Sequence, residues 1–179
     1  MSTPNAKPNR RRPPTPRTHE RTKMRGKNAP EVRSDARWAL ELPTVLSVLN
    51  RILELELAGT VRYMHYSFMI FGHHRLPLIA WLRGQANESL LHAQLAGEHI
   101  TGLGGHPSLE IGPLLETHRH SIEQILEESL EHESSALACY RELLDLVRDR
   151  SVLLEEYART QIASEETHLA ELAKMMRVD

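Results

Sequence analysis

One cysteine, Cys139, is all the chain has in 179 residues. A disulfide framework is therefore excluded. A reducing cytoplasm is the expected setting. Long apolar runs are also missing: no stretch approaches the ~20 residues a membrane-spanning helix needs. Aromatic residues make up only 4% of the chain, which argues against a strand-rich fold. Neither a glycine-rich nucleotide loop nor a nucleophile elbow is present. What remains is a sequence that is 40% hydrophobic and rich in Leu, Ala and Glu. This is the composition of an all-α protein.

Charge is unevenly divided. Residues 1–33 hold ten Lys and Arg against two acids, Glu20 and Glu31, for a net +8, while the remainder carries −10, giving −2 overall. The same segment contains six of the ten prolines and almost no large apolar residue. It cannot bury a core, so residues 1–34 are expected to form a disordered basic tail and residues 35–179 the folded body. No apolar h-region of a secretory signal is present in it. The simplest role for the tail is solubility. An electrostatic arm for nucleic acid or another anionic partner is one alternative, and organelle targeting is another.

The body divides into four helical segments. The first is expected from Pro43 to Gly72, with a shorter piece around 36–42 before it. Its stripe is Leu49, Ile52, Leu53, Glu56, Thr60 and Tyr63. The second is expected from Pro77 to the Gly104-Gly105 breaker, the third from Thr117 to Arg148, and the fourth from Ser151. Short links within the first and last pairs predict two antiparallel hairpins. The longer stretch GGHPSLEIGP between them predicts a crossover running the length of a four-helix bundle.

The chemistry is written twice. Glu56 is followed seven residues later by Tyr63 and 36 residues later by His92. Glu133 is followed seven residues later by Tyr140 and 35 residues later by His168. Each histidine has a carboxylate one turn before it, Glu88 or Glu165. Glu56 and Glu133 interrupt apolar stripes, where an unpaired carboxylate is costly. Glu165 and His168, three apart, leave the same helix face. Two halves that each supply a Glu from one helix and a Glu/His pair from the next make the ligand set of a di-metal carboxylate site. Oxygen donors with a few imidazoles suit iron, and manganese as well. The matching offsets of Tyr63 and Tyr140 place their hydroxyls within reach of this set. His99 is a candidate to support His92, whereas His132 is expected to point about 100° away from Glu133.

The stretches LNRILELELAGTVRY, HAQLAGEHI, LEHESSALACYREL and SEETHLAEL resemble the bacterioferritin branch of the ferritin-like proteins, over roughly residues 45–176. The resemblance implies a ferritin-like bundle, two iron ions, and oxidation of Fe(II) by oxygen or peroxide. It also implies a homo-oligomer, at least a dimer. The expected metal ligands are Glu56, Glu88, His92, Glu133, Glu165 and His168, with Glu56, Glu133 and Tyr63 carrying the chemistry. Three positions depart from the family pattern. Ser89 stands where the second helix has its Glu, leaving Glu88 as the nearest acid. Leu90 stands where a haem-binding Met would be, so no haem is expected. Only 11 residues follow His168, which argues against the fifth helix of a storage cage. The competing readings are a non-storage di-iron oxidase or peroxidase and, from another class, a metal-free helical interaction module with a nucleic-acid-binding tail.

Overall fold

A computed structural model describes residues 40–114 and 117–177. The tail and the 36–39 part of the short helical piece expected before Leu42 lie outside these residues. Among the described residues the secondary structure consists of α1 (Leu42–Met69), α2 (Arg75–Gly102), α3 (Ile122–Val147) and α4 (Val152–Met175). They form an all-α antiparallel four-helix bundle.

Local chemistry sets the helix ends. Pro43 occupies the first turn of α1, where a missing N–H costs nothing. Pro77 is likewise tolerated because α2 begins two residues earlier, at Arg75. Gly104, at φ 78°, closes α2. Its N–H donates to the Thr101 carbonyl and the Gly105 N–H to that of Ile100, both at 2.9 Å, the paired bonds of a Schellman cap. The third helix starts later than its apolar pattern suggests. His118 has a φ of 55°, so no helix can run through it. Ser121 is the N-cap and accepts a hydrogen bond from the Gln124 N–H. Ser151 caps α4 in the same way.

The closest helix pairs are α1 with α2, α3 with α4, and α1 with α3. The crossover after α2 runs along α1. The Asn50 side chain binds the backbone of His106 and Ser108, and the Gly112 N–H donates to the Glu54 carbonyl at 2.9 Å. A Cβ on Gly112 would lie 3.0 Å from that carbonyl oxygen, so glycine permits the close approach. This path delivers α3 antiparallel to α1.

The buried core falls into two clusters. One, around Leu49, Ile52, Ile100, Leu143, Val147 and Leu154, fills one end. The other, around Tyr63, Tyr66, Ile70, Leu82 and Ile125, fills the opposite end. Between them lie buried acids and imidazoles: Glu56, His92, Glu133, Glu165 and His168. The apolar ends fix the helices, and the polar layer is held between them.

Candidate metal centre

Each helix sends one or two polar side chains into this layer. Glu56 comes from α1, His92 from α2, Glu133 from α3, and Glu165 with His168 from α4. All are buried, Glu165 to 1% exposure. Among the described residues they form two groups whose donor atoms lie within 4.8 Å of one another: Glu56, His92 and Glu165, and Glu133, Glu165 and His168. Glu165 belongs to both. Its two oxygens face different rings, Oε1 lying 3.3 Å from His92 Nδ1 and Oε2 3.3 Å from His168 Nδ1. His92 Nδ1 is also 3.3 Å from Glu56 Oε1.

The tyrosines tie the halves together crosswise. Tyr140 on α3 donates to Glu56 on α1 at 2.7 Å, and Tyr63 on α1 donates to Glu133 on α3. Seven residues is two helical turns, about 10 Å, so neither hydroxyl can reach the acid on its own helix. Each can reach the acid on the facing antiparallel one.

Burial dominates the protonation of this layer. It raises the Glu56 carboxyl, against the opposing hydrogen bonds from His92 and Tyr140. Burial, with a hydrogen bond shared with Glu165, holds the Glu133 carboxyl well above the usual carboxylate range. Burial would raise Glu165 too, but hydrogen bonds with His168, His92 and Glu133 outweigh it and hold this carboxyl far below that range. His92 is pulled down by burial, yet its contacts with Glu165 and Glu56 lift it to about 10. Glu165 is thus the charged acid and His92 the cation facing it.

The remaining expected residues sit further out. Glu88 is only partly buried, with 37% of its side chain exposed, and belongs to neither group. It lies beside the outward nitrogens of His92 and His168. Ser89 is buried and faces α1 and α3: a Cβ on Gly59 would lie 2.8 Å from Ser89 Oγ and 2.6 Å from His132 Nε2. A narrow cleft, too tight to admit water, is lined by Gln85, Glu88, Ser89, His92, Glu133, Glu165 and His168. His99 stacks on Tyr157 at 4.3 Å rather than on His92.

Sequence reasoning missed a buried cation. Arg62 on α1 is 5% exposed. Its guanidinium donates to the Glu128 carbonyl at 2.9 Å and approaches His132 Nδ1 at 3.3 Å. His132 does turn away from Glu133, but into the protein and not toward solvent. Burial and the adjacent guanidinium push it down to about 4. An arginine can only donate, so His132 Nδ1 accepts and its proton is on Nε2, the atom nearest Gly59. Arg62 also donates to Tyr66 one turn on in α1, at 3.3 Å, but its other partners, Glu128 and His132, lie on α3, where no spacing rule reaches.

The donor set fits divalent metals. Two acids in this layer are pushed toward the neutral form by burial, a cost that a dication in each group would remove. The carboxylate-rich, imidazole-poor composition matches hard to intermediate ions.

No curated protein gives a significant match to the chain. Solved structures of similar fold include a ferritin-like, diiron-carboxylate protein from Bacillus anthracis str. Ames, at TM-score 0.73 and 20% identity over 76% of this chain and 97% of that one. A Rhodobacter capsulatus bacterioferritin, solved with a metal-free dinuclear site and haem iron, aligns at TM-score 0.68 and 24% identity over 75% of this chain and 84% of that one. A dodecameric thioferritin from Bacteroides fragilis, described as bacterioferritin-related, aligns at TM-score 0.66 and 22% identity over 75% and 85%. At these identities the likeness is one of fold. A family model described as the ferritin-like domain matches residues 46–178. The chain belongs to the ferritin-like domain family.

Proposed function

We propose that this protein binds two iron ions per chain and oxidises Fe(II), with oxygen or peroxide as the electron acceptor, in the service of iron homeostasis or detoxification. The observation that carries this reading is that Glu165 belongs to both buried groups, one oxygen toward each. Glu56, His92 and Glu165 would hold one ion; Glu133, His168 and the other oxygen of Glu165 would hold the second. Iron supplies one electron per ion, so a neighbouring pair can deliver two to one acceptor molecule. The chain's own groups do the rest. Tyr63 and Tyr140 fix the orientation of Glu133 and Glu56 by hydrogen bonds. The two apolar clusters keep bulk water from the layer. Manganese fits the same donors.

Anaerobic titration with Fe(II), followed by air, tests this directly. Close to two ions per chain should bind, and ferric absorbance should develop in the near ultraviolet. Glu165→Ala should abolish binding of the pair, because both positions lose a ligand at once. A protein that binds no transition metal under these conditions, by elemental analysis and titration, would contradict the proposal.

A further inference from the structure

Both imidazoles of the layer are turned the same way. Nδ1 of His92 and of His168 faces the buried carboxylates, and Nε2 of each faces the cleft. A single side chain waits at both outward nitrogens. Glu88 Oε2 lies 3.2 Å from His168 Nε2, and Oε1 lies 3.9 Å from His92 Nε2. Oε1 also accepts a hydrogen bond from Ser164 Oγ at 3.1 Å. Glu88 is thus anchored on α4 by Ser164 and His168 while it stands on α2 one turn before His92.

We infer that Glu88 is a positioning residue, not a ligand: a carboxylate that orients the metal-facing His168. The argument is geometric. A carboxylate at the outward N–H of an imidazole fixes which nitrogen carries the proton, makes the inward nitrogen the donor, and stops the ring from turning. Glu88 does this for His168 at 3.2 Å, while His92 Nε2, 3.9 Å away, lies beyond hydrogen-bond reach. Coordination by Glu88 would require it to leave Ser164 and His168 and pass between the two rings. Its exposure adds a second consequence. Because it lines a cleft too tight for water, a rearrangement at Glu88 would change ring orientation and access together.

This inference rests on the two-ion reading above, and cobalt(II) separates the two. Co(II) is added to the full-length protein, and stoichiometry and affinity are followed by visible absorption. The solvent-exchangeable ring N–H protons of ligating histidines are followed by their paramagnetically shifted NMR signals. The parent should bind two Co(II) and show the His168 N–H signal in slow exchange with water. Glu88→Ala should still bind two, with affinity weakened roughly 10- to 100-fold, and should lose that N–H signal to fast exchange. Glu88→Gln, which keeps an acceptor oxygen, should recover the signal in part. The side chain is partly exposed, so neither variant threatens the fold. A drop to one Co(II) in Glu88→Ala would make Glu88 a ligand and overturn the inference. So would unchanged affinity with that signal retained. A parent that takes up no Co(II) overturns the two-ion reading itself, a result distinct from either.

Discussion

His92 carries the sharpest electrostatic consequence. Burial lowers it, but its contacts with Glu165 and Glu56 lift it from the ordinary 6.5 to about 10 in the metal-free protein. A base whose folded value is raised stabilises the fold fully below its unfolded value and loses that contribution as pH climbs through the folded one. Metal-free protein should therefore lose thermal stability as pH rises from 6.5 toward 10. Bound metal should reverse the trend, because ligation needs the imidazole without its proton and binding tightens as pH rises. Melting curves with chelator and with metal across this range check both signs; a metal-free protein that gains stability with pH would contradict the assignment. That Glu56, Glu133, His92, Glu165 and His168 fall in one buried layer could be read from the chain, because a polar residue that recurs on an apolar stripe has a spacing. Arg62 and Ser164 could not. Apart from Tyr66, one turn on from Arg62, their partners sit on other helices, and only the tertiary fold brings them together.

At the scale of the element, the tightest constraint is where α1 meets α2 and α3. Gly59 is the contact point: the space a Cβ would fill is taken by His132 Nε2 and Ser89 Oγ, at 2.6 and 2.8 Å. Both are short, buried side chains with little room to retreat. Gly59→Ala should raise intrinsic helix propensity yet destabilise the protein by about 1–3 kcal/mol, because overpacking outweighs propensity. Chemical denaturation would measure it, and a stabilised variant would show that the helices can move apart at no cost. Helix boundaries were legible where glycine, proline or serine marks them. The start of α3 was not, because residues 117–121 continue a plausible helical pattern. Only the left-handed backbone of His118 and the cap at Ser121 place the start at Ile122.

Across the whole molecule, the chain separates into Met1–Arg33 and Ser34–Asp179. The first unit carries a net +8 and the second −10. The bundle already encloses its own core, so deletion of residues 1–33 should leave helicity and melting temperature nearly unchanged by circular dichroism. Any retention on DNA should vanish with the deletion and, in the full chain, weaken steeply with salt. Unfolding on truncation would mean that the first unit packs on the second. No helix among the described residues is long and apolar enough to cross a membrane. The bundle topology was readable from link lengths, since a connection as long as a helix can return the chain to the far end. The crosswise pairing of the tyrosines was not, because it depends on which helices face each other.

The way the two groups divide between the helices makes the two hairpins unequal in independence. The hairpin α3–α4 contains every member of the group Glu133, Glu165 and His168, while α1–α2 contributes only Glu56 and His92 to the other group and borrows Glu165. One position is owned by a single hairpin; the other straddles the seam. Breathing between the hairpins would keep the acids and imidazole of the first group together, though without Tyr63 on Glu133 and Glu88 on His168, and would dismantle the second. On the proposed two-ion reading the straddling position would be a gauge of docking, filling last as the bundle closes and emptying first as it opens. A duplicated architecture would in this way become a sequence of two unequal events.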